Sequence, residues 1–443
     1  MSKKIRDYLL MTFVFLFLIM TVGISLYASG YKFNLSWPPK FNRLLQKTGM
    51  LAVATEPTRA TIYLNDKPQK DLSLNPWKND YLLTPAKIKN ILPGEYELRL
   101  EQTGYWPYKQ KIRINSGKTT FVEDVNLFKE NLPLLILASP ETNLIKSPDN
   151  KYIYLQSAKK IINLKTELPR ELVFPGKADG VWLKNNKLMV AGNFFDPSRD
   201  NNDTNYADLI GNGATDWYYE ESSGNLYYKN NKSINRLTIN NKLNTQIVSG
   251  DNYLAYLPRQ NKIYTIINTN NQNKLQAYSI GNSQAEGSWS LPNNGHYIFT
   301  DDITSRIAVY DDQNKTLYLF DATNLNAGPI LISNIKSWAV VNDQSLIYAN
   351  DYEIYIFNFL NSRSDLITRR SEQIEKIIWN ASGNYLLFSG PTTLNVLDFK
   401  NQNATLLFRA EEITSPVLDE KNTNLYFWAK VGQQEGVYKM LMQ

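Results

Sequence analysis

The chain contains two kinds of hydrophobic pattern. Residues 9–27 form an apolar run without a charged residue, whereas most of the remaining sequence alternates apolar and polar residues over short stretches that end in Asn, Asp or Gly. Alternation with a period of two is typical of β-strands, and Asn, Asp and Gly favour the tight turns that join them. At 1.5 Å per residue, about 19 apolar residues span a hydrocarbon core of about 30 Å. The pattern therefore predicts one transmembrane helix at residues 9–27, followed by a mainly β protein.

Basic residues flank the apolar run unevenly. Lys3, Lys4 and Arg6 precede it, and Lys32 alone follows it closely. Cytoplasmic flanks are richer in Lys and Arg. We therefore expect residues 1–8 to be a cytoplasmic stub and the bulk of the chain to lie outside a cell membrane, held by a single-pass signal anchor.

A cleaved signal peptide is the alternative interpretation. Residues 28–30 (Ala-Ser-Gly) offer small residues at which cleavage could occur. However, the apolar run is longer than the roughly 7–15 residues of a signal-peptide core. The prediction is an uncleaved anchor.

Residues 28–48 are expected to form a juxtamembrane linker. The linker contains a Pro38-Pro39 pair and four aromatic residues, which are Tyr31, Phe33, Trp37 and Phe41. These aromatic side chains are suited either to the outer membrane interface or to packing on the next domain. Both alternatives stay open at this point.

Residues 91–114 show the clearest alternation in the sequence. One face of the two predicted strands is apolar and carries Tyr96, Leu98, Leu100, Tyr108, Ile112 and Ile114. The other face is charged and carries Glu97, Arg99, Glu101, Lys109, Lys111 and Arg113. A hairpin that turns at residues 102–104, with one buried and one solvated face, is predicted.

Several more short alternating segments surround this hairpin, and together they predict a small β-sandwich at residues 49–128. The motif order resembles the PEGA domain, a small extracytoplasmic β-domain of prokaryotic surface proteins. The matching residues are Pro57, Ala60, Thr84-Pro85, Pro93-Gly94 with Tyr96, and Gly104-Tyr105 with Tyr108. The resemblance implies a spacer or adhesive module and supplies no catalytic residue.

The sequence departs from the PEGA pattern in two places. The Glu-Gly of the name-giving tetrapeptide is Thr58-Arg59 here, and the segment before Thr84 is expanded through residues 67–83. The first departure concerns the backbone geometry of the turn, and the second predicts a longer surface loop. With its apolar anchor, the N-terminal part also looks like membrane-anchored PEGA proteins of candidate-phylum bacteria.

From residue 131 to residue 443, a polar turn followed by an aliphatic and aromatic strand recurs eight times. One aliphatic anchor per repeat gives Ile153, Leu188, Leu226, Leu254, Ile298, Leu346, Leu386 and Leu425. Their mean separation of about 39 residues is close to a four-stranded propeller blade. The turns resemble those of TolB-like and WD40-like propellers, a generic likeness that implies blades, and the eight repeats predict a seven- or eight-bladed β-propeller. A different β-sandwich remains an alternative.

The shortest interval between anchors is difficult to fit to a whole blade. Leu226 and Leu254 are only 28 residues apart. The two anchors would then share one blade, or residues 192–217 would form a long loop inside one. The blade count depends on which of these holds.

Composition excludes several classes of chemistry. The chain has no cysteine and one histidine, His296. Disulfides, thiolate nucleophiles, Cys-ligated zinc and any site that needs two imidazoles are therefore excluded. The 48 basic and 42 acidic residues are spread thinly rather than in a stripe, so nucleic-acid binding is not expected. No cofactor is predicted.

The remaining candidate residues are each better explained by structure than by chemistry. Asp196, Asp200, Asp203 and Asp208 form an oxygen-rich loop without the spacing of a calcium-binding hand, so a solvated loop is expected and calcium stays an open question. His296 lies in a repeat turn, without the nucleophile elbow of a hydrolase. Glu411-Glu412 is read as surface charge, and the N-x-[ST] matches at Asn380 and Asn403 follow from the abundance of Asn.

Tryptophan recurs shortly before the repeat turns. The residues are Trp182, Trp217, Trp289, Trp338 and Trp379. A recurrent position favours packing between blades over glycan or peptide binding. No binding residue is assigned, and no catalytic or metal-binding residue is predicted.

These observations predict a non-enzymatic, membrane-anchored binding or scaffolding protein of the bacterial cell envelope. Its propeller face would recognise a protein or an envelope polysaccharide. The alternative is an anchored hydrolase or lyase of an envelope polymer, which would use carboxylates on the propeller axis. That alternative requires acidic residues from different blades to meet at the axis.

Overall fold

The computed structural model describes residues 3–33, 45–70, 81–174, 179–190, 193–199, 204–205, 210, 213–220, 223–230, 232–250, 252–282, 284–400 and 402–442. The chain divides into two compact units, Met1–Asn131 and Leu132–Met442. Each contains antiparallel β-sheets, and the first also contains the N-terminal helix. The predicted fold class, mainly β with one N-terminal helix, is confirmed.

Helix α1 (Lys3–Ala28) extends beyond the predicted run at both ends. Its segment Arg6–Ala28 is long and apolar enough to cross a membrane, a test that an N-terminal signal sequence also passes. Thr12 Oγ1 and Thr21 Oγ1 each donate to the carbonyl oxygen four residues earlier, at 2.9 and 2.8 Å. These bonds satisfy the hydroxyl groups within the helix itself.

A two-stranded antiparallel sheet follows the helix. Its strands are β1 (Tyr31–Phe33) and β2 (Leu45–Lys47). The predicted linker at residues 28–48 thus contains strand pairing at both of its described ends. Trp37 and Phe41 lie outside the described residues, so their predicted surroundings stay open.

Two sheets form the β-sandwich of the first unit. The strands are β3 (Gly49–Glu56), β4 (Thr61–Leu64), β5 (Lys67–Pro68), β6 (Ala86–Ile91), β7 (Gly94–Glu101), β8 (Tyr108–Ile114) and β9 (Thr119–Asn126). One sheet has the order β6-β3-β9, and the other has the order β5-β4-β7-β8. Strand β3 runs parallel to β9, and every other pair is antiparallel.

The hairpin formed by β7 and β8 buries the predicted apolar face, but its charged face is only partly solvated, because the Arg99 side chain is 18% exposed and stacks on the Tyr63 ring at 4.0 Å. Leu98 and Leu100 are fully buried in the sandwich core, and Leu100 lies opposite Tyr108. The turn is longer than predicted, because Trp106 N donates to the carbonyl of Phe128 at 2.8 Å. This bond draws the turn to the segment that follows β9.

The altered PEGA signature keeps a glycine-like backbone. Arg59 has a φ of 78°, the left-handed region that glycine favours. Arg59 N donates to the carbonyl of Thr84 at 2.7 Å, and Ala60 N donates to Thr84 Oγ1 at 2.9 Å. Thr84 Oγ1 also lies 2.6 Å from Thr55 Oγ1. The turn geometry that the substitution put in question is therefore present and is held by Thr84.

The second unit contains eight four-stranded sheets in its described part, each with the order of a propeller blade. Blade 1 has β11 (Leu144–Lys146), β12 (Tyr152–Leu155), β13 (Lys160–Asn163) and β14 (Pro169–Glu171); blade 2 has β15 (Gly180–Trp182), β16 (Leu188–Val190), β17 (Asn193–Phe195) and β18 (Thr204–Asn205). Blade 3 has β19 (Ala214–Glu220), β20 (Asn225–Asn230), β21 (Ser233–Thr238) and β22 (Leu243–Ser249); blade 4 has β23 (Tyr253–Arg259), β24 (Lys262–Thr269), β25 (Gln272–Ser279) and β26 (Ala285–Leu291).

The remaining blades follow in the same way. Blade 5 has β27 (Tyr297–Thr300), β28 (Ile307–Asp311), β29 (Thr316–Phe320) and β30 (Ile330–Ser333), with a short 3-10 helix at Leu325–Ala327; blade 6 has β31 (Ser337–Asn342), β32 (Ser345–Ala349), β33 (Glu353–Asn358) and β34 (Arg363–Arg369). Blade 7 has β35 (Lys376–Asn380), β36 (Tyr385–Ser389), β37 (Thr393–Asp398) and β38 (Asn403–Arg409); blade 8 has β39 (Glu412–Leu418), β40 (Asn424–Val431), β41 (Gln434–Leu441) and β10 (Leu134–Ala138).

The blades form a ring that is closed by the two ends of the unit. In the described residues, first strands contact each other in six of the eight neighbouring pairs of blades, including β39 with both β35 and β11, and buried clusters join blade 2 to blade 3 and blade 5 to blade 6. Strand β10 comes from the start of the unit and pairs with β41 at the end. Trp428 Nε1 donates to the carbonyl of Ser139 at 3.0 Å, just beyond β10. The fourth strand of blade 8 therefore comes from the opposite end of the unit and not from residues that follow β41.

The anchor residues of the repeat explain the uneven spacing. Six of them lie on the second strand of a blade and are fully buried, namely Ile153, Leu188, Leu226, Leu346, Leu386 and Leu425. Leu254 and Ile298 instead lie on first strands and are 48% and 45% exposed. The idea that Leu226 and Leu254 share a blade is therefore wrong, because they belong to blades 3 and 4. Eight sheets correspond to the upper of the two predicted blade counts.

Candidate binding channel

A cavity of about 950 Å³ lies between first strands along one part of the propeller ring. Strands β11, β31, β35 and β39 contribute most of its lining, so it is bounded mainly by blades 1, 6, 7 and 8. We call this cavity the central channel. It exists because the first strand of each blade faces the ring axis, which leaves room that side chains fill only in part.

The channel wall combines aliphatic, aromatic and polar groups. Ile145, Ile377 and Ile413 line it, together with the tryptophan side chains of Trp338 and Trp379. Mostly apolar walls with a few fixed polar groups are typical of ligand sites, whose usual volume is about 300–1,000 Å³. By size and lining, the channel is a candidate binding site.

Two lysines from different blades reach the same channel. Lys146 ends β11, and Lys376 begins β35. Desolvation lowers the pKa of both ammonium groups, and the charge of Lys376 lowers the pKa of Lys146 further. Asp302 acts in the opposite direction on the pKa of Lys376. Both side chains nevertheless remain exposed to solvent at the channel wall.

Three acidic residues line the channel as well. The carboxyl of Asp302 accepts from Trp338 Nε1 at 2.8 Å, and desolvation raises its pKa. Glu375 forms an ion pair with Lys336 at 2.9 Å. Glu412 lies at the start of β39, is half-buried and lines the channel, whereas its neighbour Glu411 is exposed.

Two buried polar atoms of the lining have no hydrogen-bond partner within the described residues. They are the indole Nε1 of Trp379 and the hydroxyl Oγ1 of Thr414. By contrast, Trp182 Nε1 donates to the carbonyl of Ile145 at 2.8 Å. Buried polar atoms are nearly always paired, so unpaired ones beside a cavity mark places where a ligand or water can bind.

The tryptophans combine packing with channel lining. Trp182, Trp338 and Trp379 pack into clusters that join neighbouring blades, which confirms packing as their first role. Trp217 also lies on a first strand. Trp289 differs, because it lies on the fourth strand β26, and the single recurrent position therefore holds for four of the five.

The other candidates remain dispersed. Asp196 accepts hydrogen bonds from Ser198, chiefly its side chain, and these bonds lower the pKa of its carboxyl. Asp200, Asp203 and Asp208 lie outside the described residues. In the part of the chain that the structure describes, no group of three or more His, Asp or Glu side chains is placed to hold a metal ion.

His296 lies in the connection between β26 and β27, as predicted for a repeat turn, whereas Asn380 is the last residue of β35. The His296 ring is exposed, and its Nδ1 lies 2.9 Å from Asp312 Oδ1. The buried Asn380 side chain accepts from the backbone N of Ser382 at 3.2 Å and from its hydroxyl at 2.8 Å. The Asn380 amide is thus a structural cap within the blade.

Sequence reasoning missed the lysines and Asp302 as a group. They come from segments more than 70 residues apart, and the repeat theme does not distinguish an axis-facing charge from a solvated one. The available signal was a charged residue on the first strand of a blade, as at Lys146 and Lys376. This signal can be used only when the strand order within each blade is known.

Comparison with known proteins identifies one domain. The PEGA domain family model matches residues 78–129, which include strands β6 to β9. No curated protein matches the sequence. The described sandwich also contains β3, β4 and β5, all of which precede the matched range.

Several solved structures resemble this chain, but their sequence identity to it is low. A eukaryotic initiation factor is 10% identical over 79% of this chain and 96% of that chain, with a TM-score of 0.47. A mitotic checkpoint complex is 8% identical over 71% and 93%, with a TM-score of 0.38. Hsv2 of Kluyveromyces lactis is 14% identical over 49% and 71%, with a TM-score of 0.34. These likenesses carry no conclusion about what this chain binds. The chain thus contains a PEGA domain match in its first unit and a ring of eight blade-like sheets in its second.

Proposed function

We propose that the protein is a membrane-anchored extracytoplasmic binding or scaffolding protein of the bacterial cell envelope. In this proposal, the propeller recognises a protein or an envelope polymer at its central channel. The channel itself is the observation that carries the proposal, since it combines ligand-site volume, apolar walls and polar atoms without internal partners.

The N-terminal helix supports the membrane part of the proposal. It is long and apolar enough to span a bilayer, and the basic residues Lys3, Lys4 and Arg6 lie at its start. This charge distribution favours a cytoplasmic N-terminus. The PEGA domain and the propeller would then lie on the outer side.

The absence of cysteine from the sequence permits a direct test of orientation. Single-cysteine variants Ser2→Cys and Thr103→Cys would be expressed in a bacterial host and treated with a membrane-impermeant maleimide. We expect labelling of the exposed Thr103 position in intact cells and labelling of position 2 only after lysis. The opposite pattern would refute the orientation, and a soluble, shortened product would show that the helix is cleaved.

The binding part can be tested by obstructing the channel. Asn143 is exposed and lines the channel, so Asn143→Trp adds bulk there without replacing a core residue. Gln344→Trp is the matched control, because Gln344 is exposed in the β31–β32 turn, away from the channel lining. Full-length protein would be immobilised and exposed to solubilised envelope polymer and membrane protein.

We expect the wild type and Gln344→Trp to retain the same component and Asn143→Trp to lose it. Equal retention by all three would show that the channel is not the recognition surface. Retention of nothing by the wild type would contradict the binding proposal and favour a spacer role.

An envelope-polymer hydrolase or lyase is the second candidate. The observation that favours it is the arrival of Asp302, Glu375 and Glu412 from different blades in one cavity. A carboxyl whose pKa is raised, as for Asp302, suits a general acid. However, Glu375 is already paired with Lys336, and Asp302 accepts from Trp338.

Incubation of envelope polymer with the purified protein distinguishes the two candidates. If soluble fragments appear with the wild type and disappear with Asp302→Asn or Glu412→Gln, the protein is an enzyme. If polymer is retained without cleavage by all three proteins, the binding proposal is supported.

A further inference from the structure

The N-terminal helix ends beside one end of the β-sandwich. Helix α1 stops at Ala28, and Gly30, with a φ of 82°, turns the chain out of the helix. The carbonyl of Gly30 accepts from Thr48 N at 2.7 Å and from Thr48 Oγ1 at 2.8 Å. Thr48 directly precedes β3, the central strand of one sheet of the sandwich. The start of β3 is therefore bonded to the chain two residues beyond the helix.

The turn between β8 and β9 lies at the same end of the sandwich. Gly117 N donates to the carbonyl of Thr48 at 2.9 Å. Ser116 Oγ donates to the carbonyl of Lys47 at 3.0 Å. These bonds join the turn to the segment that enters the sandwich from the helix. We call this part of the sandwich the helix-proximal end, comprising residues 45–50, 89–95 and 113–119.

The contacts fix the depth of the helix-proximal end in the membrane-anchored protein proposed above. The polar region of one leaflet is about 5–7 Å thick. Two residues of extended chain reach at most about 7 Å. When Ala28 lies at the boundary of the hydrocarbon core, Gly30 and its partner Thr48 lie among the lipid headgroups.

The charge of this region is positive. Residues 29–33, which leave the helix, and the helix-proximal end together contain five basic residues and one acidic residue, Glu95. Glu95 lies opposite Arg113 in the β7–β8 pairing, so these two charges offset each other. The other four basic residues are exposed, and we call them the lysine patch: Lys32, Lys47, Lys89 and Lys118.

The lysine patch surrounds the bonded contacts. Lys47 and Lys118 directly adjoin Thr48 and Gly117 in the sequence, and Lys89 precedes Asn90, whose Oδ1 lies 3.4 Å from Thr48 Oγ1. Within the described residues, none of the four lysines forms an ion pair. Their ammonium groups are thus available to a partner outside the protein.

We propose that the helix-proximal end docks on the bilayer, where the lysine patch binds the anionic headgroups of the leaflet from which the helix emerges. This inference rests on the membrane anchor of the proposed function. The helix already places the patch within about 8 Å of the headgroups, the distance over which charges attract at physiological salt. Docking would hold the sandwich against the membrane as a fixed base.

Fluorescence quenching tests the docking in the full-length protein. Because the chain lacks cysteine, Asn115→Cys in the β8–β9 turn and Thr103→Cys beyond the far end of β7 each allow a single fluorophore at an exposed position. The protein would be reconstituted in phosphatidylcholine vesicles that contain a headgroup nitroxide lipid, with and without phosphatidylglycerol. We expect stronger quenching at position 115 than at position 103. Phosphatidylglycerol should increase the quenching at position 115 alone.

A double variant measures the contribution of the lysines. One lysine near an anionic surface strengthens association about fivefold, so Lys47→Gln with Lys118→Gln should lower the ratio of docked to undocked protein about 25-fold. Lys109→Gln with Lys111→Gln is the matched control, because both lysines are exposed on β8 before the helix-proximal end. The control should change the ratio much less. Thermal unfolding of both variants shows whether the fold is retained.

Flotation of the vesicles separates the two levels of the proposal. Protein that does not float with the vesicles refutes the membrane anchor, and the docking is refuted with it. Protein that floats but shows equal quenching at the two positions, or no response to phosphatidylglycerol, refutes the docking and leaves the anchor standing. If soluble polyglutamate changes the fluorescence at position 115 and phosphatidylglycerol does not, the patch binds an acidic polymer, and the headgroup inference is overturned.

Discussion

The two units of the chain reach their sheets by different routes. In the sandwich, β3 pairs with β6 and β9, and β4 pairs with β7, so neighbours in the sheet are distant along the chain. In the propeller, seven of the eight described sheets consist of four consecutive strands. Blade 8 is the exception, because it recruits β10 from the other end of the unit. The propeller is therefore a set of local structures that depend on one long-range closure, whereas the sandwich combines two local pairings, β4–β5 and β7–β8, with the three long-range pairings β3–β6, β3–β9 and β4–β7.

The largest loss of stability is expected at the closure of the propeller, where β10 pairs with β41. Trp428 is 1% exposed, and its indole N–H bonds to the carbonyl of Ser139. Trp428→Ala removes a large buried side chain, which commonly costs about 3–5 kcal/mol. We expect scanning calorimetry of the full chain to show a lower midpoint for the propeller transition and an unchanged sandwich transition. A shift of both transitions would show that the units unfold together.

A core substitution in the sandwich tests the opposite case. Leu98 is fully buried on β7, and Leu98→Ala is expected to cost about 2–5 kcal/mol. The lower midpoint should now belong to the sandwich alone. Exposed Leu366 of β34 provides the control, since Leu366→Ala should change stability by about 0.5 kcal/mol or less. Similar losses for both variants would contradict the burial assigned to them.

The turn that contains Arg59 should have a smaller effect on the free energy of unfolding, and the sign of this effect is the test. Arg59→Gly should raise the free energy of unfolding by up to about 1 kcal/mol, because left-handed strain of about 1–2 kcal/mol exceeds the entropic cost of glycine, about 0.5–1 kcal/mol.

Gly104 is the matched position in the same unit. It has a φ of 82° and open space around a would-be Cβ, so Gly104→Ala should lower the free energy of unfolding by about 1 kcal/mol through backbone strain. Urea unfolding would measure both variants. Changes of the same sign would refute the backbone explanation.

The smallest effect concerns a partly exposed cluster of blade 6 and depends on pH. The carboxyl of Glu353 accepts from Tyr355 Oη at 2.6 Å, Asn350 Nδ2 at 3.1 Å and Arg369 Nε at 2.7 Å. These bonds lower its pKa from 4.5 to about 2. A lowered pKa in the folded state stabilises the fold above pH 4.5, and this contribution is lost as the pH falls to about 2.

Glu353→Gln should therefore be less stable than the wild type at pH 7, and the difference should shrink between pH 4.5 and pH 2. Urea midpoints at pH 7, 4 and 2 would measure it. A difference that is constant over this range would show that Glu353 does not titrate as described.

Local patterns predicted most of the secondary structure correctly. The alternation at residues 91–114 placed Leu98 and Leu100 inside and Glu97 outside, as observed, whereas Arg99 was expected outside and is largely buried. The repeat predicted blades, and six of its eight anchors lie on second strands. The prediction failed at Leu254 and Ile298, because a first strand and a second strand of a blade carry similar apolar residues. Only their neighbours in the sheet distinguish them.

The sequence by itself determined the apolar N-terminal helix, the β class, the PEGA motif order and the blade repeat. Each of these depends on residues within a few positions of one another, where side-chain period and turn preference act directly. The tertiary structure decided the eighth blade, the pairing of β10 with β41 and the meeting of Lys146, Lys376 and Asp302 in one channel. These features depend on ring closure, which brings together residues that are far apart in the chain and share no local pattern.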